Sequence, residues 1–255
     1  MTLKELDNYF NSFLKKENYA NDIAINGIQI ENSDPDKKEI KKIAFAVDAC
    51  EATEKIAAEL GADVLFVHHG LFWGHCQPIT DSLYKRVSIF LNKDMALCAY
   101  HIPLDANNPY GNNYGLAARL NLTNVEPFGT WKGMTIGVKG ELPEPLTIDV
   151  ISEKVMRIGK MPCALLRFGK KEIKTIGIVS GGASEDVETA ISEGLDCFIT
   201  GEFNHEQYHM AEEMKINVIA GGHYETETMG VSLVKEKVEK ELGIECIFID
   251  LPTGF

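Results

Sequence analysis

Residues 37–45 read KKEIKKIAF, and residues 170–178 repeat that stretch closely as KKEIKTIGI. The second copy begins 133 positions after the first, and the same offset pairs GADVLF at 61–66 with GLDCFI at 194–199. The pattern predicts strand, helix and strand in both copies, over 43–48, 51–60 and 63–67 and over 175–180, 184–193 and 196–200. A crossover of this kind implies that the two strands it joins run parallel in one sheet.

The correspondence continues at a slightly shorter offset, since His101 and Asp105 correspond to His223 and Glu227, 122 positions later. A unit of roughly 120–130 residues therefore occurs twice, which is longer than a solenoid repeat. We predict an α/β fold of two similar lobes from an internal duplication, with mixed sheets flanked by helices. The Gly and Pro residues at 127–133 predict lobe one at 1–128 and lobe two at 129–255, with the C-terminal segment available to pack on lobe one.

Further elements are predicted outside the duplicated core. The first is an amphipathic helix that starts at Leu3 and carries its apolar residues on one face. The other helices are predicted near 112–120, 147–158 and 228–242. The other strands are predicted near 23–31, 122–128, 133–140, 163–168 and 244–250.

Composition narrows the class of protein. The chain has 255 residues, of which 45% are hydrophobic, so it can bury a sizeable core. Its net charge of −13 argues against a nucleic-acid partner, because affinity for phosphate backbones rests on clustered Lys and Arg. No apolar run reaches the roughly 18 residues of a membrane span, and the first residues lack the apolar core of a signal peptide. The six cysteines are scattered singly, which predicts reduced thiols in the cytoplasm.

Histidines and carboxylates recur at the ends of apolar runs. Three elements carry this pattern: His101-x3-Asp105, His223-x3-Glu227 and the adjacent pair His68-His69. Strand ends face the ligand crevice of an α/β fold, so the duplication predicts one crevice built from both halves of the chain. This set of imidazoles and carboxylates is large enough for two divalent ions. Such mixed nitrogen and oxygen ligands suit Zn, Fe, Mn, Co or Ni, whereas calcium prefers oxygen ligands alone. The alternative is that each histidine is a hydrogen-bonded structural residue.

The pair of adjacent histidines occurs in only one half of the duplication. At the 133-residue offset, His68-His69 corresponds to Gly201-Glu202 in the second half. Adjacent side chains on a strand point to opposite faces, so both imidazoles can serve one site only at a strand end, where Gly70 permits a turn.

Two further motifs have competing interpretations. His205 and His209 fall at i and i+4 on a predicted helix and match the protease pattern H-E-x-x-H, although little else suggests a zinc protease. A role for Glu202 or His209 in lining the site is the stronger interpretation. Residues 181–184 (GGAS) close a strand and open a helix, which favours either a phosphate cradle or a tight turn with Ser184 as the N-cap.

The combined motifs resemble those of the Nif-three-like dinuclear metal-centre proteins, also known as type 2 homologues of GTP cyclohydrolase I. The resemblance rests on VHHGLF at 67–72, HIPLD at 101–105, GHYETE at 222–227, NGIQ at 26–29 and TGE at 200–202. It covers essentially the full length in the expected order. Gly70 follows His69 where many relatives carry Pro, a change that affects the rim of the site and not its ligands.

The resemblance implies two interlinked α/β lobes and a toroidal hexamer whose metal sites face its interior. It implies two divalent ions held by five residues, namely His68, His69, Asp105, His223 and Glu227. Glu227 would bridge the ions, and His101 would lie beside the site as a proton carrier. The implied reaction is hydrolytic opening of the purine imidazole ring of GTP with release of formate.

Two functional hypotheses follow. The first is a metal-dependent hydrolase acting on a small, nucleotide-like substrate, with His101 or Glu202 as the general acid and base. The second is a non-enzymatic oligomer that carries, stores or senses divalent metal. An enzyme should lose turnover but keep its metal when His101 is replaced, whereas a carrier should tolerate that change.

Overall fold

Helices and strands alternate along most of the chain and form two mixed sheets. The computed structural model describes residues 1–255. The α-helices are α1 (Leu3–Leu14), α2 (Glu51–Glu59), α3 (Asp81–Lys93), α4 (Ile102–Asp105), α5 (Asn112–Arg119), α6 (Ile148–Val155), α7 (Val187–Ser192), α8 (His205–Glu213) and α9 (His223–Leu242). The strands are β1 (Gly27–Ile30), β2 (Lys42–Asp48), β3 (Val64–His69), β4 (Ala96–Ala99), β5 (Thr123–Trp131), β6 (Met134–Leu146), β7 (Ala164–Arg167), β8 (Ile173–Val179), β9 (Cys197–Thr200), β10 (Asn217–Ala220) and β11 (Glu245–Phe248).

The elements divide into two units. Unit 1 comprises Met1–Asn107 and Val231–Leu251, and unit 2 comprises Asn108–Gly230 and Pro252–Phe255. The predicted α/β class with mixed sheets flanked by helices is confirmed. None of the helices is both long enough and apolar enough to span a membrane.

The sheet of unit 1 has the strand order β1-β4-β3-β2-β11. Strands β2, β3, β4 and β11 run parallel, as the predicted crossover requires, and β1 pairs antiparallel with β4. The carboxyl ends of parallel strands meet at one edge of a sheet, and that edge is where α/β folds bind ligands. His68 and His69 end β3 at this edge, and His101 follows β4 there.

Both faces of this sheet are buried. On one face, Phe10 of α1 packs against Phe66 with ring centroids 4.8 Å apart, and Phe45 lies 5.2 Å from Phe66. Tyr100 stacks on the same Phe66 ring at 5.7 Å. The neighbouring residue Leu65 belongs to the core cluster that includes residues of α2 and α3. A buried Phe is worth about 3–5 kcal/mol relative to alanine, so this packing fixes the strand ends firmly.

The sheet of unit 2 has the order β5-β6-β8-β9-β10-β7. Strands β8, β9 and β10 run parallel, and β7 pairs antiparallel with β10, as β1 does with β4. The register repeats as well, because Ile43 lies opposite Val64 in unit 1 and Ile176 lies opposite Cys197 in unit 2. These pairs are equivalent at the 133-residue offset, so the internal duplication is present in the strand pairing itself.

The chain passes from unit 1 to unit 2 earlier than the sequence indicates. The Gly and Pro run predicts a boundary between 128 and 129, but β5 and β6 form a hairpin in which Phe128 pairs with Gly137. That pairing keeps the whole hairpin in unit 2. The C-terminal segment Val231–Leu251 belongs to unit 1, where β11 pairs with β2.

Candidate metal centre

Two adjacent histidines end strand β3. The ring centroids of His68 and His69 lie 4.4 Å apart, with 47° between the ring planes. The Nδ1–H of His68 donates to the carbonyl oxygen of Tyr100 at 3.0 Å, and that of His69 donates to Oδ1 of Asp48 at 2.8 Å. Asp48 lies directly opposite His69 in the pairing of β2 with β3. The parallel sheet therefore supplies the partner that fixes the His69 ring.

Gln29 holds the turn that follows these histidines. Its Oε1 accepts the backbone N–H groups of Leu71 at 2.7 Å and Phe72 at 3.1 Å. A Cβ atom at Gly70 would lie 2.6 Å from the Cβ of Ala99 and would also overlap the Gln29 amide. Close packing at this turn therefore requires glycine at position 70. The hydrogen bonds of Gln29 give that residue of the N-G-I-Q motif a structural role.

His101 joins the two histidines of β3 in one cluster. It directly precedes α4, and its ring centroid lies 5.2 Å from that of His68 and 5.7 Å from that of His69. Candidate ligand atoms of the three rings all lie within 4.8 Å of one another. At the end of α4, Oδ2 of Asp105 lies 3.5 Å from Nε2 of His68. Unit 1 thus gathers three imidazoles and one carboxylate, a donor set that suits a divalent transition metal.

Unit 2 carries the second pair of predicted ligands on one helix. Helix α9 begins at His223, five residues before its predicted start, so His223 and Glu227 lie one turn apart on the same face. Nε2 of His223 is 3.2 Å from Oε1 of Glu227, and its Nδ1 is 2.6 Å from Oε1 of Glu202. Burial lowers the pKa of His223, but the hydrogen bonds to Glu227 and Glu202 outweigh it and raise the pKa to about 9. Such a site attracts a cation, whether a proton or a metal ion.

Two glycine turns make room for this pair. Gly181 follows β8 with φ of +70°, a left-handed conformation, and a Cβ atom there would collide with the carboxylate of Glu227. Gly201 follows β9, and a Cβ atom there would lie 2.8 Å from Cα of His223. The backbone therefore approaches His223 and Glu227 more closely than any other residue type would permit.

Each of the four predicted site histidines is held through its Nδ1 atom. In each ring Nδ1 faces an oxygen that can only accept a hydrogen bond: Tyr100 O for His68, Asp48 for His69, Asp22 for His101 and Glu202 for His223. An ionised carboxylate or a carbonyl accepts only, so the neutral rings of His68, His69 and His101 carry the hydrogen on Nδ1 and keep the lone pair on Nε2. His223 differs, because its Nε2 also faces a carboxylate, that of Glu227. Metal-ligating histidines are typically held in this way. Glu202, predicted to shuttle a proton, is in the structure the hydrogen-bond partner of His223.

The H-E-x-x-H motif belongs to none of the residue groups that could hold a metal ion. His205 and His209 are exposed on α8, with ring centroids 6.2 Å apart. Nδ1 of His209 lies 3.8 Å from a carboxylate oxygen of Glu212, one turn further along. The exposure of both rings and this surface contact argue against the protease interpretation and against a role for His209 in lining the site.

The turn at 181–184 also has a structural role. Ser184 is buried, and its Oγ donates to Oε1 of Gln207 at 3.0 Å and accepts the backbone N–H of Asn204 at 2.8 Å. Ser184 itself begins a short 3-10 turn and is not the N-cap, which is Ala183. The hydroxyl thus ties this turn to the start of α8.

The fold and these residues define a class, an α/β protein with a candidate metal site of imidazole and carboxylate ligands. The chain belongs to the Duf34/NIF3 (NGG1p interacting factor 3) family, whose model matches residues 1–253. The family resemblance seen in the sequence is therefore confirmed.

Relatives and a solved structure agree over the whole length. A protein of Treponema pallidum named GTP cyclohydrolase 1 type 2 homolog is 42% identical, and one of Pyrococcus abyssi with the same name is 40% identical. Both matches cover 100% of this chain and 100% of the relative. The crystal structure of TTHA1606 from Thermus thermophilus matches with a TM-score of 0.90 at 33% identity and covers 100% of both chains.

Proposed function

We propose that the protein is a dinuclear metallohydrolase acting on a nucleotide-like small molecule. The residues proposed to hold the metal ions are His68, His69, Asp105, His223 and Glu227. The observation that carries the proposal is the common orientation of His68 and His69, each held through Nδ1 with Nε2 left as a donor atom, beside the carboxylate of Asp105. Two bound divalent ions would supply Lewis acidity that lowers the pKa of water from about 15.7 towards 7.

Two side chains are proposed to transfer the proton of the attacking water and to orient a metal ligand. His101 lies in the cluster with His68 and His69 and is proposed to accept and return the proton of the attacking water. Glu202 was expected to share that role, and its 2.6 Å contact with Nδ1 of His223 supports a further task, holding that imidazole in place.

The substrate class proposed here is a purine nucleotide. The relatives named GTP cyclohydrolase 1 type 2 homolog support this class, and the family resemblance implies hydrolytic opening of the purine imidazole ring with release of formate. We also propose a toroidal hexamer in the cytoplasm, on the strength of the resemblance and the scattered cysteines. The non-enzymatic alternative is a metal carrier, storage protein or regulator built on the same ligands.

The test measures metal content and turnover on the same samples. We expect about two Zn, Fe, Mn, Co or Ni ions per chain in the wild type, fewer in His69→Ala, and an unchanged number in His209→Ala, an exposed histidine that serves as the matched control. Metal-loaded wild type should release formate from GTP, and His69→Ala should not. Equal formate release by the two would contradict the cyclohydrolase proposal, whereas stable metal without turnover would favour the carrier.

A further inference from the structure

Asp22 lies in the loop before β1 and is engaged on both of its carboxylate oxygens. Its side chain is fully shielded from solvent. The four donors to it are the Nδ1–H of His101 at 3.0 Å, the backbone N–H of Ala24 at 3.0 Å, the backbone N–H of Ile102 at 3.1 Å and Nδ2 of Asn26 at 2.8 Å. A buried carboxylate with four donors has no capacity left to bind a metal ion. Its role must act through the groups that it holds.

The same loop also fixes the backbone of His101. Oδ1 of Asn26 accepts the backbone N–H of His101 at 2.7 Å. The backbone of His101 has φ of −86° and ψ of −103°, outside the helical and extended regions, at the junction between β4 and α4. The loop therefore clamps His101 through both its ring and its main chain, and it clamps the first residue of α4, the helix that ends at Asp105.

We propose that Asp22 is a positioning residue of the metal centre. It holds the His101 ring with the hydrogen on Nδ1, so that Nε2 is a lone-pair donor facing His68 and His69. Through Ile102 it also holds α4, so that the Asp105 carboxylate stays beside His68. This assignment deepens the proposed function, but it rests on contacts within unit 1 and not on turnover of any substrate.

The alternative is that Asp22 only stabilises the loop. Asp22→Asn separates the two roles, because the new amide NH2 group would face hydrogen-bond donors. Of the four donors, the imidazole is the one that becomes an acceptor by moving its proton from Nδ1 to Nε2. We therefore expect the variant to shift His101 towards the Nε2–H tautomer, whereas loss of a loop contact alone would leave the tautomer unchanged.

The measurement is the tautomer of His101 in metal-free protein, read from long-range nitrogen–proton NMR correlations at about pH 8, where histidine is ordinarily neutral. The wild type should show Nδ1–H, Asp22→Asn should show Nε2–H, and Asp22→Glu, which keeps the carboxylate, should restore Nδ1–H. The matched control is Asp63→Asn, another unit 1 carboxylate that accepts two backbone N–H groups but contacts no site histidine. It should leave the tautomer as in the wild type.

A second measurement is the affinity for Zn²⁺ alone, by competition with a chelator. We expect Asp22→Asn to weaken binding about 10–100-fold, because an uncharged amide holds the start of α4, and with it the proposed ligand Asp105, less firmly than the carboxylate does. Asp63→Asn should leave the affinity unchanged. An Nε2–H tautomer in the wild type would overturn the proposal even if Asp22→Asn does not fold. Equal loss of Zn²⁺ affinity in both variants would also overturn it. If formate release fails but the tautomer shifts as expected, the proposed reaction fails and this assignment stands.

Discussion

At the scale of single residues, the carboxyl group of Glu54 on α2 stands out. The side chain is fully buried, and neither oxygen has a hydrogen-bond partner. Burial raises its pKa to about 7 from an ordinary 4.5, against a partial opposing attraction from Arg86 of α3. The group is therefore protonated in the folded protein at pH values where the unfolded chain has already released the proton.

This difference makes stability depend on pH in a defined direction. The stabilising effect of the retained proton is complete below about pH 4.5 and is lost as the pH rises through about 7. A shift of this size corresponds to about 3 kcal/mol. We expect Glu54→Gln to remove most of that loss, and urea unfolding at pH 5 and pH 8 measures it. Glu59→Gln, on an exposed residue of the same helix, is the control and should change little. A wild-type pH dependence retained in Glu54→Gln would contradict the prediction.

The histidines of the site could be predicted, but the groups that hold them could not. All four histidines, His68, His69, His101 and His223, are recognisable because they follow apolar runs, and His101 and His223 also correspond within the duplication. Their partners Asp48 and Asp22 lie 21 and 79 positions away in the chain from the histidines they hold. Only the pairing of β2 with β3 and the fold of the loop before β1 bring them close. The partner of His68 is the main-chain carbonyl oxygen of Tyr100, and a main-chain atom cannot be recognised from residue type.

At the scale of elements, an aspartate carboxylate accepts two backbone N–H groups near the start of the first parallel strand in each half of the duplication. Oδ2 of Asp63 accepts the backbone N–H groups of Lys41 at 2.8 Å and Lys42 at 3.1 Å. At the 133-residue offset, Oδ2 of Asp196 accepts those of Lys174 at 3.0 Å and Thr175 at 3.1 Å. The aspartate preceding the second strand thus fixes the start of the first strand in both units.

We expect Asp63→Ala and Asp196→Ala to lower the free energy of unfolding by about 2–3 kcal/mol each, because hydrogen bonds to a charged group are worth about 1.5–3 kcal/mol and the N–H groups lose their acceptor. Urea denaturation measures both. Asp36→Ala is the control, since Asp36 is exposed and pairs with an exposed Lys4, and surface ion pairs contribute little to stability. A marked loss in only one of the two variants would show that this aspartate contact is not equivalent in the two halves.

Element boundaries were less predictable than element types. The expected helix near 228–242 begins at His223, because the Gly221-Gly222 turn ends β10 and lets the helix start at once. That early start converts His223-x3-Glu227 from a motif at a strand end into an i, i+4 pair on a helix. The second half of the duplication also departs from the first at 184–193, where a 3-10 turn at Ser184–Asp186 precedes α7. Local turn geometry decides these details, and it leaves little trace in apolar periodicity.

At the scale of the whole molecule, unit 1 is built from two separate parts of the chain. Residues 1–107 supply four of its strands, and β11 closes the sheet beside β2, with Cys246 opposite Ile43. Helix α9 begins in unit 2 and ends in unit 1, where Glu241 accepts a hydrogen bond from the hydroxyl of Tyr9 at 2.8 Å. The repeat predicted two lobes, but repeat spacing says nothing about which lobe a returning strand joins. Only the strand pairing decides that.

A chain ended at Gly230 tests this dependence. It would lose β11 and five buried side chains, those of Val231, Val234, Val238, Cys246 and Ile249. Burial of an apolar side chain is worth about 1.5–3 kcal/mol, so the loss is comparable to the whole stability of a typical domain, about 5–15 kcal/mol. Loss of β11 would also leave β2 as an unprotected edge strand, which promotes aggregation.

We expect hydrogen exchange, followed by mass spectrometry, to show loss of protection in β2 and β3 of the chain ended at Gly230. The matched control ends at Leu251 and removes only Pro252–Phe255, which belong to unit 2 and are largely exposed. Its β2 and β3 should stay protected, while the N–H of Tyr224, which donates to the carbonyl oxygen of Phe255 at 3.0 Å, should exchange faster. Unchanged protection of β2 in the shorter chain would mean that residues 1–107 fold without their returning strand, and the predicted dependence of unit 1 on residues 231–251 would then be wrong.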